Sequence, residues 1–263
     1  MKDREKILRY FTATGEEAKD MAIRLLDLAD AVDRGRPFAV GPFMSPFAAQ
    51  VGQTIAAHAG TITAKSFGGY HEAERIKVAF VDGGYEGPVD FGIKLLSVKW
   101  DGRYRLIGHR DVLGSLMGLG IDRAVLGDIL MQENGCQILC DADMAQWIID
   151  NFHKVAMVTV TVEEVPMEEL HPPEKTAKEV RATVASLRLD AVGAAGFGLS
   201  RTKMVQLVDD QRTEVNWQMA KSASQAVKPG DVISVRGRGR SEIKEITGKS
   251  RKGRIGVLIE RYR

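Results

Sequence analysis

Ser200 and Arg201 stand where a glycine-containing stretch, 193–198, gives way to the helical spacing of 202–208, with Met204, Val205 and Val208 inward. A serine at a helix entry accepts a hydrogen bond from a free backbone N–H of the first turn. Such an entry attracts phosphate, and Arg201 adds a fork of donors beside it. Lys203 and Gln206 lie three apart and share one helical face. Further on, Arg236, Arg238 and Arg240 alternate in VRGRGR, so a continuous strand there would aim all three to one side. These residue types bind anions; none of them by itself transfers a proton or a group.

The charge distribution agrees with that chemistry. Residues 184–263 carry 16 Lys and Arg against 8 Asp and Glu, whereas residues 1–183 carry 21 against 27, so the net charge of +2 hides a basic C-terminal segment joined to a mildly acidic body. A concentrated cationic patch is the footprint of a polyanion binder, nucleic acid first among them. The first residues, MKDREKILRYF, lack the continuous apolar run of a signal peptide, and no stretch has the length of a membrane span, so a cytoplasmic protein without membrane attachment is expected.

Other chemistries find little support. The histidines at 58, 71, 109, 153 and 171 are scattered without ligand spacing, and Cys136 and Cys140 complete no zinc set, so neither metal nor cofactor is expected. The two thiols, four apart in CQILC, read as reduced core residues. GAAGFG (193–198) and RGRGR (236–240) fail as nucleotide cradles, because neither follows a strand and opens a helix within a βαβ unit. His109 and Asp111 could form an acid/base pair, but Asp111 at a helix start reads more simply as a capping charge. Tyr70, His71, Glu72 and Arg75 could form a surface site; Glu72 and Arg75 at three apart read instead as a local ion pair. No catalytic residue is assigned.

The elements that must position the cations form an α+β chain of three small domains: an N-terminal α/β unit over 1–82, a second domain over 83–166, a linker over 167–183, and the basic module over 184–263. Residues 3–34 have helical spacing in two runs, with Thr14 as cap of the second, and 38–81 shift toward short strands and loops. Strand-like 91–100, helix-like 110–120, strands 128–132 and 136–140 around Asn134-Gly135, helix-like 142–155 and strand-like 157–165 give the order βαββαβ. That order suits the ferredoxin-like plan shared by RNA-recognition domains. Its central strands lack the exposed aromatics that base stacking needs, so a structural or phosphate-contacting role is expected for this sheet. The stretch 166–180, charged and carrying three prolines, reads as linker. In the basic module, TEVNW (213–217) reads as a short strand and VKPGDVISVRGRGR (227–240) as a turn and a second strand.

Several linked pieces of this module, RLD (188–190), LSR followed by a basic residue, VNW (215–217) and KPGDVISVRG, resemble the RNA-binding domain named after ribosomal small-subunit protein S-four. Asp210-Gln211 depart from the glycine turn that family often has before the strand. The resemblance implies that Arg188, Ser200, Arg201, Lys203, Gln206 and Asn216 line an RNA backbone groove, with Asp190 orienting Arg188; Lys221 and the three alternating arginines join the expected RNA-binding set. With FGGYHEAER (67–75) and HRDVLGSLMGLGIDRAVLGDI (109–129), nearly the whole chain resembles the YlmH family of bacterial and plastid proteins. That resemblance implies non-enzymatic binding of rRNA and tRNA on the large ribosomal subunit, in quality control of stalled translation. The alternatives are an RNA-modifying enzyme, a pseudouridine synthase or methyltransferase using the module for substrate binding, and a ribosome-associated protein-interaction adaptor.

Overall fold

The computed structural model describes residues 4–12, 16–101, 107–172, 178–250 and 253–262. The chain divides into two compact units, 1–173 and 174–263. Thr14, expected as a helix cap, lies outside the described residues.

The first unit begins with α1 (Arg4–Thr12) packed on α2 (Glu16–Asp33) through Ile7 and Phe11. Arg4 ties the pair from outside, donating to Asp27 at 2.7 Å and Asp30 at 2.8 Å. A small antiparallel sheet follows, built from β1 (Phe38–Val40), β2 (Ile62–Phe67) and β3 (Lys77–Asp82) in the order β1-β3-β2. Between the first two lies α3 (Phe47–Ala59), a helix that the sequence reading passed over as loops and strands. Its inward face is Ala- and Gly-rich, which weakens the hydropathy contrast on which periodicity depends.

The second part of this unit has β4 (Ile93–Trp100), α4 (His109–Gly118), β5 (Leu126–Gln132), β6 (Gly135–Asp141), α5 (Ala142–Asn151), β7 (Lys154–Val155) and β8 (Val158–Val165). The antiparallel order β5-β6-β4-β8 is the ferredoxin-like arrangement, with β7 added as a hairpin at the β8 edge. One sheet face packs Leu96, Val98 and Ile138 against Val112, Leu116, Ile148 and Phe152 of the helical side. Cys136 and Cys140 are buried free thiols. The β5–β6 turn is Glu133-Asn134, not Asn134-Gly135, because Gln132 pairs with Gly135. Gly135 is needed there for space: a Cβ on it would lie 2.3 Å from the Val98 carbonyl oxygen.

The opposite face of this sheet is not an open platform. Gln137, only 4% exposed, donates to the Glu169 carbonyl at 2.7 Å and accepts from His171 N–H at 2.8 Å, so the segment after β8 folds back over the strands. The N-terminal sheet is welded to the same domain by buried polar bonds. Asp128 accepts from Tyr70 Oη and from Glu74 N–H, both at 2.7 Å. Arg75 donates to the carbonyls of Phe43, Arg123 and Leu126, so it is a half-buried tie between loops and not the expected partner of Glu72. Lys77 reaches Asp141 at 3.0 Å and the carbonyls of Phe91 and Gly92. Asp111 accepts from Gly108 N–H at 3.0 Å, the capping role expected of it.

The second unit contains β9 (Lys178–Val184), α6 (Leu189–Phe197), α7 (Arg201–Asp209), β10 (Thr213–Val215), β11 (Gln218–Met219), β12 (Val232–Val235), β13 (Gly239–Lys249) and β14 (Ile255–Tyr262). They form a six-stranded antiparallel sheet, β11-β10-β12-β13-β14-β9, with α6 and α7 closing the core on one side. Part of the expected linker is thus an edge strand: residues 178–184 pair along β14 from Lys178↔Arg261 to Val184↔Ile255. The polar alternation that made 178–183 look like a tether is that of a strand with one wet face. Two further expectations are corrected. Asn216 and Trp217 do not continue a strand; both adopt positive φ (52° and 61°) and form the turn between β10 and β11. Arg236 and Arg238 belong to the β12–β13 turn while Arg240 lies in β13, so the three do not share one strand face.

Candidate nucleic-acid interface

The site is organised around one buried carboxylate. α6, LDAVGAAGF, is apolar nearly all round and accordingly buried between α7 and the sheet. Its single charged residue, Asp190, has a side chain only 5% exposed. Arg188 donates to it through Nε at 3.2 Å and Nη2 at 3.3 Å, and Arg201, arriving from the start of α7, donates through Nη2 at 2.6 Å. Burial pushes the Asp190 carboxyl up, but the hydrogen bonds from Arg201 and Arg188 outweigh it and hold the group below the usual carboxylate range. Asp190 therefore stays ionised and aims two guanidinium groups, each about half exposed at 44% and 56%, toward solvent.

The short link between the helices makes this convergence possible. α6 ends at left-handed Gly198 (φ 65°), with Leu199 N–H returned to the Ala194 carbonyl at 2.8 Å. The chain then turns into α7 within two residues, and Ser200 caps it, its Oγ accepting from Lys203 N–H at 3.1 Å. Lys203 Nζ donates to Gln206 Oε1 at 3.0 Å on the exposed side of α7. The loop carrying exposed Lys221 runs beside Asp190: Asp190 N–H donates to the Ala223 carbonyl at 2.9 Å and Leu189 N–H to that of Gln225 at 2.8 Å. One end of α7 thus gathers Arg188, Ser200, Arg201, Lys203 and the Lys221 loop around free helix-terminal N–H groups, an arrangement suited to phosphate.

Other expected members lie elsewhere. Asn216 spends both ends of its amide on the fold, Nδ2 donating to Asp231 at 2.9 Å and Oδ1 accepting from Val232 N–H at 2.9 Å. The Arg240 guanidinium lies 6.0 Å from the Trp217 ring. Arg236 and Arg238 project from the β12–β13 turn, next to the C-terminal end of α7, together with Arg212, which sequence reasoning did not single out. The Arg201–Asp190 bond was also missed, since a pairing between separate helices leaves no local spacing.

Two family models match within the chain: the putative RNA-binding domain in YlmH over residues 87–169 and the S4 domain over residues 187–233. The second covers every member of the Asp190 cluster. Among curated proteins, the chain is 34% identical over 198 residues to the ribosome-associated protein quality control protein P2 of Bacillus subtilis (strain 168), covering 74% of this chain and 77% of that one. The chain belongs to the YlmH family. A solved structure titled cell division protein ylmH from Streptococcus pneumoniae has the same fold over 60% of this chain and 96% of its own, with a TM-score of 0.51 and 24% identity. In this YlmH-family chain, both domain models are RNA-binding by description or domain class, and the Asp190 cluster falls in the S4 part. Among the described residues, no group of three or more His, Cys, Asp or Glu side chains gathers where a metal ion could sit, and no helix is long and apolar enough to cross a membrane.

Proposed function

We propose that this chain binds structured RNA, rRNA or tRNA or both, on the large ribosomal subunit during quality control of stalled translation, and that it acts by binding and not by catalysis. The observation that carries this reading is the pair of half-exposed guanidinium groups held by Asp190 at the Ser200-capped start of α7, within the S4 match. The Bacillus subtilis relative, named for ribosome-associated quality control, supports the setting. The burial of Asp190 supports binding over catalysis: a carboxylate bridged by two arginines is a poor nucleophile or base, whereas the arginines it orients are well placed for phosphate.

The test is co-sedimentation of the full chain with empty large subunits and with large subunits carrying peptidyl-tRNA, over a salt series. Selective enrichment on the tRNA-carrying particles is expected, falling steeply with salt as counterions are released. Lys203→Ala and Lys221→Ala change cations that do not hold the buried carboxylate, and each should weaken binding roughly two- to tenfold, by about 0.4 to 1.4 kcal/mol. Salt-independent binding, or none to either particle, would overturn the reading.

A further inference from the structure

The far end of α7 carries a second cationic surface with a different construction. Arg212 follows the helix's closing turn; its Nη2 donates to the Arg236 carbonyl at 3.2 Å, while Arg236 N–H donates to the Arg212 carbonyl at 2.9 Å. This stitches the α7–β10 turn to the β12–β13 turn and sets exposed Arg212, Arg236 and Arg238 side by side. Among the described residues none of the three lies within ion-pair distance of a carboxylate, although Asp209 and Asp210 are close in sequence. Several other surface cations of this chain are paired with a carboxylate: Lys94 with Glu164, Lys99 with Glu163, Arg181 with Glu179 and Lys244 with Glu242. Three adjacent guanidinium groups left without an internal counter-charge repel one another, and a bound polyanion relieves that repulsion.

We propose that Arg212, Arg236 and Arg238 form a second phosphate-contacting surface, so that the module grips a base-paired RNA stem by both strands, one backbone at Arg201 and Ser200 and the other at the paired turns. This rests on the RNA-binding reading above and adds the class of RNA. The nine residues of α7 set its two ends roughly 13 Å apart. In base-paired RNA the groove open to side chains is the wide, shallow minor groove, with a phosphate backbone along each side. A stem presents two phosphate backbones across a groove, and base-paired RNA is recognised largely through such backbone contacts and shape; a single strand presents one backbone.

The full chain is titrated with a labelled RNA stem-loop and with single-stranded polyuridine of equal length, each over a salt series. In Arg236→Gln/Arg238→Gln the slope of log affinity against log salt on the stem-loop should shrink by about 1 to 2, and affinity should fall about tenfold, with polyuridine binding unchanged. Lys203→Ala, at the other end of α7, should weaken both RNAs. If the double variant leaves the stem-loop slope intact while Lys203→Ala still lowers affinity, the second surface is wrong and RNA binding stands. Equal losses on both RNAs overturn the two-strand grip. If the wild type binds neither RNA, the underlying RNA-binding reading fails instead.

Discussion

Asp190 shows how one residue sets both the stability and the chemistry of the site. Replacing both Arg188 and Arg201 with Ala leaves a carboxylate of 5% exposure without its partners. The expected cost is about 2 to 3 kcal/mol, below that of a wholly buried pair because water reaches both guanidinium groups. The double variant therefore tests folding as well as binding, which is why Lys203 and Lys221 are the cleaner probes. Since the folded Asp190 titrates below its ordinary value of 3.8, its contribution is complete above that pH and is lost as pH falls through the folded value. Urea unfolding over an acid pH series should show the wild type's advantage over the double variant shrinking below about pH 4. At Cys136 and Cys140 burial pushes the thiols up to about 12. The folded chain should resist alkylation by iodoacetamide at mildly basic pH, with mass spectrometry finding both modified only after denaturation. The identities of Arg188, Ser200 and Arg201 were legible from RLD and LSR, but the Arg201 partner was not, because it depends on how two helices meet.

The two helices of the basic module end in the same geometry with different residues. α6 closes on Gly198, whereas α7 closes with Gln211 at φ 54°, Arg212 N–H returning to the Leu207 carbonyl at 2.9 Å and Gln211 N–H to that of Val208 at 3.0 Å. Glycine is the favoured residue in that left-handed position. Gln211→Gly should raise stability by up to about 1 kcal/mol and Gly198→Ala should lower it by about 1 to 2 kcal/mol, both read from denaturant midpoints. The departure from a glycine turn at Asp210-Gln211 was visible in the sequence, and the structure shows that the turn keeps its shape despite it. The elements themselves were legible wherever apolar spacing was strong, as in βαββαβ. They were misread where a turn interrupts an alternating pattern, because Arg236, Arg238 and Arg240 alternate in sequence while left-handed Gly237 and Gly239 bend the chain between them.

On the scale of the whole molecule, three domains were expected, while contacts divide the chain into two units. The polar bonds of Asp128, Arg75 and Lys77 explain the difference, since each joins residues more than 14 positions apart on at least one side and no local spacing announces it. Lys77→Met would remove three hydrogen bonds from a side chain 5% exposed and strand Asp141. A loss of about 2 to 4 kcal/mol is expected in the unfolding of the first unit, followed by hydrogen exchange at the amides of β3 and β6. In the second unit, β9 lies at one edge of the sheet and, among the described residues, its only strand neighbour is β14. About 70 residues separate the two, a long loop to close for a few backbone bonds. A ribosome delivers sequence in one direction, so β9 emerges early and waits without a mate while α6, α7 and the intervening strands appear. A newborn copy of this protein thus passes through a stage with an unfinished sheet, which stays open until β14 has followed β9 out of the ribosome.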